Sequence, residues 1–264
     1  MIEPAFWTRE GRIARVSMNR PNQRNALSAA MVAALMRCFD EIEADEAVRV
    51  VVLQGEGKAF CAGADLKALQ DLQTASSEAN LRDSAQLAAL FTRISTLAKP
   101  VIAKVHYAAV GGGAGLVAAA DIAVCSTTTR FAFAEVRLGF VPAIILPYVL
   151  RKIGQTYGRH VLLRGHRFDG AEAARIGLVL DVVPEADLEM HVMTIARDIA
   201  DNASPTALAL TKRLLADLPS MGQQEAQQVA VQANAFSRTT ADFKAGIASF
   251  LDKTTPPWRP NDDG

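Results

Sequence analysis

Hydrophobic and polar positions divide the chain into strand-like and helix-like stretches. Ala14, Val16 and Met18 alternate with Arg15 and Ser17, the two-residue period of a half-buried strand. Arg20-Pro21-Asn22-Gln23-Arg24-Asn25 is turn chemistry. Ser28 stands where a helix cap would, ahead of Met31, Val32, Leu35, Phe39 and Ile42, an apolar face at 3.6-residue spacing. Residues 48–53, apolar apart from Arg49, predict a strand covered on both faces. Residues 70–84 are rich in Ser, Gln and Asp, lack a strong period and read as a mobile segment. Leu87, Leu90, Phe91 and Ile94 mark another helix, which Lys99-Pro100 ends before a strand over 101–105. A helix of small residues over 116–120 and a short strand over 121–125 follow.

Two small-residue loops interrupt this pattern, Phe60-Cys61-Ala62-Gly63-Ala64-Asp65-Leu66 and Gly111-Gly112-Gly113-Ala114-Gly115. Each follows a strand and opens a helix, where the first backbone N–H groups have no helical acceptor. Side by side, two such loops can hold one oxygen between two donors, an oxyanion hole.

The alternation of strands and helices argues for an α/β core built from repeated strand-strand-helix turns. Asp169-Gly170-Ala171-Glu172 reads as a capping box for a helix that Gly177 closes. Beyond Pro184 the composition shifts, and 186–252 reads as helices with breaks at 202–205 and 219–222. The expected division is a core over 1–197 and a helical region over 198–264, with a proline-containing tail from Thr254 that is extended or frayed.

Composition narrows the class. Among 264 residues, 28 Lys and Arg balance 28 Asp and Glu, so no basic stripe points to nucleic acid or a membrane surface. Half the residues are hydrophobic, enough for a large core, yet no apolar run reaches membrane-span length without charge or glycine. Cys38, Cys61 and Cys125 form no CxxC and sit in apolar contexts typical of buried, reduced thiols. The expected location is the cytoplasm, with no metal and no separate cofactor.

Taken alone, the glycine loop is a weak nucleotide motif. The third glycine of a dinucleotide fingerprint is replaced by Leu116, and no Lys-Ser/Thr follows, so close helix packing explains it as well. Glu135 changes the balance. It lies among Phe133, Val136 and Leu138, where partial desolvation would raise its pKa into the range useful for proton transfer.

The run Arg20-Pro-x-x-Arg-Asn-Ala-Leu27, the two loops and the segment from Glu135 to Pro142 resemble the crotonase (enoyl-CoA hydratase/isomerase) family, in its order and spacing over almost the whole chain. The resemblance implies a crotonase-like spiral with a C-terminal helical trimerisation region, assembled as a homotrimer or as a hexamer of two trimers. It implies an acyl-CoA thioester substrate, so that coenzyme A arrives as part of the substrate. Ala64 and Gly112 would donate to the thioester carbonyl, and Glu135 would move the proton. Arg24, Ala26, Ala62, Asp65, Leu66 and Lys67 would line the CoA path, and Lys253 would reach its adenine or phosphates, sometimes in a neighbouring subunit.

One position departs from the two-glutamate hydratases of that family. Gly115 stands where their first glutamate would be, leaving Glu135 alone and, by expectation, room for a branched acyl group. The segment Glu135-Val-Arg-Leu-Gly-Phe-Val-Pro-Ala-Ile-Ile-x-Pro-Tyr148 is similar to that of bacterial hydratases acting on methylglutaconyl-CoA and related branched thioesters. The implied reaction is hydration of a 2-enoyl-CoA. The alternatives are isomerisation of a 3-enoyl to a 2-enoyl-CoA by Glu135 alone and a non-catalytic acyl-CoA-binding subunit. His106, His160 and His166 read as solvated or packed rather than basic catalysts, and Arg137 as a partner of a surface acid.

Overall fold

Short apolar runs pair into sheets, and the amphipathic stretches between them cover the faces. The computed structural model describes residues 3–260. β1 (Ala5–Glu10) and β2 (Ile13–Met18) form an antiparallel hairpin around Gly11, whose φ of +58° suits glycine. Then β3 (Val50–Gly55), β4 (Val101–Val105), β6 (Ile122–Ser126) and β9 (Asp181–Val183) join in parallel, giving the order β1-β2-β3-β4-β6-β9. A smaller sheet of β5 (Ala108–Val110), β7 (Arg130–Ala132) and β8 (Arg167–Asp169) stands apart from it.

The apolar run of β3 is buried on both faces, as its pattern predicts. Val51 and Leu53 enter the main core with α1 (Ala29–Ala44), α3 (Ser77–Thr96) and α4 (Gly112–Ala119). Val50 and Val52 face the other way, with Ile13, Ile102 and Val124, onto Leu188, Val192, Met193 and Ala196 of α7 (Leu188–Asn202). Ser28 caps α1 through Met31 N–H, and Asp169 caps α6 (Gly170–Arg175) through Glu172 N–H.

One expectation is corrected and two are refined. Residues 70–84 are helical apart from a turn over 73–76: α2 (Leu66–Leu72) is followed by α3, which Ser76 caps through Ala79 N–H at 3.2 Å and an Arg82–Glu78 pair at 2.8 Å braces. Caps and ion pairs hold this exposed turn, so it carries no apolar period to read. The division at 197/198 falls inside α7, whose apolar face belongs to the core; the outer helices are α8 (Pro205–Asp217), α9 (Gln223–Ser237) and α10 (Ala241–Asp252). The tail from Thr254 has no helix or strand, as an extended tail would, and is anchored at Trp258, whose Nε1 donates to Asn202 O at 3.3 Å and whose indole lies over Gly246; residues 261–264 are outside the described range.

A buried lysine ties α8 to the core. Lys212 Nζ donates to the carbonyls of Ile94 and Lys99, both at 3.0 Å, and lies 2.6 Å from Asp121 Oδ2. Asp121 in turn accepts Val101 N–H at 2.7 Å. Among the described residues, no helix is long and apolar enough to cross a membrane.

Candidate active site

The first small-residue loop is held by the turn that precedes α1. Asn25, buried and at φ 56°, donates through Nδ2 to the carbonyls of Glu56 (2.9 Å) and Ala59 (2.8 Å) and accepts Arg20 N–H (2.9 Å). Arg24 O accepts Ala62 N–H at 2.9 Å. Leu27 donates to Gly63 O at 2.7 Å and accepts from Asp65 N–H at 3.1 Å. In this parallel bridge Leu27 uses the residues flanking Ala64, so the Ala64 N–H faces away from Leu27. Among the described residues no backbone acceptor meets it.

The second loop opens α4. Gly111 is its N-cap, at φ +54°, and donates to Ala132 O at 2.7 Å in the smaller sheet. The first bond inside the helix runs from Gly115 N–H to Gly111 O at 2.9 Å, so Gly112, Gly113 and Ala114 present N–H groups without a helical acceptor.

The loops touch backbone to backbone. Cys61 donates to Ala108 O (3.1 Å) and accepts from Val110 N–H (3.0 Å). A Cβ on Gly113 would stand 2.4 Å from Cys61 O, and one on Gly63 would stand 2.6 Å from Val110 O. Only glycine fits at either position, and this approach sets Ala64, just after Gly63, beside Gly112, just before Gly113. The two donors named from the sequence therefore come from segments fastened to each other.

Glu135 begins a 3-10 turn (Glu135–Leu138) that Gly139 closes at φ +71°. Its Oε1 lies 3.1 Å from where a Cβ on Gly111 would be, and its buried Oε2 has no hydrogen-bond partner. Burial raises the pKa of this carboxyl above the ordinary value, with a smaller opposing effect from its own backbone N–H. The lone carboxylate thus stands at the N-terminal end of α4, next to the paired loops.

The room expected over Gly115 is absent. A Cβ there would lie 2.4 Å from Ile145 Cγ2 and 3.1 Å from Phe91 Cε1. Ile145, the residue before α5 (Leu146–Arg164), fills the volume that the missing side chain would take.

The residues assigned to a CoA path group around the first loop. Arg24 and Ala62 are joined by their backbone bond, Ala26 is buried and gives its carbonyl to Arg20 at 3.0 Å, and Leu66 and Lys67 are exposed at the start of α2. Asp65 caps α2 through Lys67 and Ala68 N–H and pairs with Arg20 at 3.0 Å. Burial works against its charge, but Arg20 and the cap outweigh it and hold the carboxyl below its ordinary pKa. Lys253 is not drawn in: it ends α10 at φ 57°, and no hydrogen bond or ion pair joins it to the loops among the described residues.

Other candidates recede. Burial pushes the Cys61 thiol up to about 12, and Sγ donates to Asn25 O, so it is no nucleophile. His106 bonds Gly57 O at 3.0 Å, and His160 meets Arg164 at 3.1 Å. Among the described residues Arg137 takes no surface acid: its Nε donates to Arg164 O at 3.1 Å, stitching the turn of Glu135 to the end of α5. No cluster of metal-ligating side chains occurs among the described residues. Sequence reasoning missed Ile145 and Phe91, whose only sequence signal is apolarity, and the clamping roles of Asn25 and Arg20 within a motif read as a turn.

Known proteins resemble this chain over almost its whole length. The profile of the enoyl-CoA hydratase/isomerase family matches residues 8–261. A Thermus thermophilus protein assigned to the enoyl-CoA hydratases is 41% identical over 247 residues, 94% of this chain and 97% of its own. The peroxisomal Delta(3,5)-Delta(2,4)-dienoyl-CoA isomerase of Arabidopsis thaliana is 32% identical over 250 residues, 90% of each chain. The crystal structure of an enoyl-CoA hydratase from Shewanella pealeana superposes with a TM-score of 0.91 at 30% identity, covering 97% of this chain and 96% of that one.

Proposed function

The chain belongs to the enoyl-CoA hydratase/isomerase family, and on that premise we propose that it adds water across the double bond of a 2-enoyl-CoA with Glu135 as its single proton carrier. The observation that carries this is the lone, desolvated carboxyl of Glu135 beside two touching loops that each present a free N–H. The thioester oxygen lies between Ala64 N–H and Gly112 N–H, and the N-terminal end of α4 adds a favourable dipole. Ionised Glu135 takes a proton from water as the water oxygen bonds Cβ. The double-bond electrons move through Cα into the thioester as an enolate, and Glu135 returns the proton to Cα. The loss of one oxyanion donor costs ~3 kcal/mol of transition-state stabilisation.

Arg24, Ala26, Ala62, Asp65, Leu66 and Lys67 carry the CoA moiety, and Lys253 completes the phosphate end from a neighbouring copy. The segment 135–148 favours a branched, methylglutaconyl-like acyl group, which would lie over exposed Phe140 and Val141 rather than at Gly115. Val231, Phe236, Phe250 and Leu251 are exposed on α9 and α10, apolar surface that fits a homotrimer or a dimer of trimers. Three buried free thiols suit a reducing compartment such as the cytoplasm.

One observation favours a second reading. Ile145 and Phe91 leave no place for a second carboxylate at Gly115, and one carboxylate suffices to move a proton from Cα or Cγ, as in a 3-enoyl to 2-enoyl isomerase. Glu135→Gln and labelled water decide. Turnover of a 2-enoyl-CoA with 18O entering at Cβ, lost in the variant, supports hydration. Double-bond migration without oxygen incorporation selects the isomerase. Unchanged turnover in the variant refutes the role of Glu135, and no turnover of any thioester despite tight binding leaves an acyl-CoA-binding subunit.

A further inference from the structure

Gly111 and Gly115 lie one turn apart on α4, linked by the first bond of the helix. Glu135 covers the Cβ position of Gly111, and Ile145 covers that of Gly115. Side chains on a helix lean toward its N-terminus, so any side chain at 115 would be directed over Gly111, at the carboxyl of Glu135. Ile145 Cγ2 sits 2.4 Å and its Cβ 3.0 Å from the point where that side chain would begin. Ile145 is 3% exposed, and Phe91, 0% exposed, closes the volume from α3.

We propose that Ile145 is a specificity-determining residue of this site, a plug that excludes any second polar group from the turn of α4 beside Glu135 and so restricts the site to one-carboxylate chemistry. This rests on Glu135 being the proton carrier. The plug acts through shape. It is an apolar side chain at the entry to α5, it makes no side-chain cap to that helix, and it fills the point at Gly115 from which a second carboxylate beside Glu135 would extend.

A double-variant cycle tests it in two independent readouts. Gly115→Ala is expected to lower Tm by roughly 5 °C by overpacking, and most of that loss should disappear in an Ile145→Gly background. An equal loss in both backgrounds overturns the plug. The chemical readout is the pH profile of kcat/KM for a short 2-enoyl-CoA or 3-enoyl-CoA, whichever the parent enzyme turns over. Gly115→Glu alone should lose at least tenfold in kcat/KM. Gly115→Glu with Ile145→Gly should recover it and show a second ionisation, because two adjacent carboxyls titrate as a coupled pair. Full activity in Gly115→Glu alone, or a parental pH profile in the double variant, overturns the proposal. Failure of the Glu135 assignment appears separately, as unchanged turnover in Glu135→Gln, and leaves the Tm cycle unaffected.

Discussion

Gly113→Ala is the sharpest probe of the contact between the two loops. It adds one methyl to the second residue of α4, and on helix propensity alone it would stabilise the chain by ~1 kcal/mol. The structure predicts the opposite sign. The new Cβ would lie 2.4 Å from Cys61 O, 2.9 Å from Cys61 Cβ and 3.0 Å from the Cys61 carbonyl carbon. Two of these are backbone atoms, fixed by the bonds of Cys61 to Ala108 and Val110, so no rotamer change relieves the clash. To reach ordinary van der Waals separation, the loops must part by about 1 Å. Oxyanion donors act at ~2.7–3.1 Å, and a displacement of ~1 Å is enough to cost ~100-fold in rate, or about 2.7 kcal/mol of barrier. Steady-state kinetics on the acyl-CoA that the enzyme turns over, with a thermal melt of the same samples, provide the check. The expected result is kcat/KM down ~100-fold with the fall mainly in kcat, and a Tm lowered by a few degrees. A variant with parental kcat/KM and an equal or higher Tm would refute the claim that this contact sets the donor spacing.

Other consequences concern charge. Glu135→Gln should lower kcat by ~10²–10⁴-fold; in the parent, activity should rise with pH through a pKa above the ordinary glutamate range, a limb that the variant lacks. Lys212→Met should destabilise the fold by ~1–3 kcal/mol in denaturant titrations, since the carbonyls of Ile94 and Lys99 would lose their buried donor. Burial lowers the pKa of Lys152 to about 8, partly opposed by Asp121. Because the unfolded chain then holds more protons between pH 8 and the ordinary lysine value, this group makes stability rise with pH across that window, by at most about 3 kcal/mol. Denaturation from pH 7 to 10.5 should show that rise in the parent and a flatter curve in Lys152→Met.

The sequence revealed what depends on local chemistry. The cap at Ser28, the two-sided burial of β3 and the helices beyond Pro184 follow from neighbouring residues, and the structure contains them. The extension of α3 back to Ser77 was hidden because its first turns are held by a cap and an ion pair rather than by a buried face. At the site, the loops and Glu135 were visible as motifs. The filling of the space at Gly115 was not, since Ile145 is separated from it by thirty residues and its apolarity signals only burial. The Arg20–Asn25 run showed the same limit: its turn chemistry was legible, whereas the side-chain bonds that fix the first loop depend on partners up to Asp65.

The buried lysine under α3 also sets an order of events in the cell. Lys212 meets the carbonyl of Ile94 across 118 residues of chain. At a synthesis rate of ~5–20 residues per second, the Ile94 carbonyl would wait roughly 6–24 s for that side chain to emerge. Until then the carbonyls of Ile94, in the last turn of α3, and of Lys99, just beyond it, have no lysine to accept from, and Asp121 stays without its partner. The strands and both core clusters precede α8 in the chain, but the polar tie at the end of α3 forms only when the helical end of the protein arrives. A shortened chain ending before α8 would keep every strand and still lack the group that seals them.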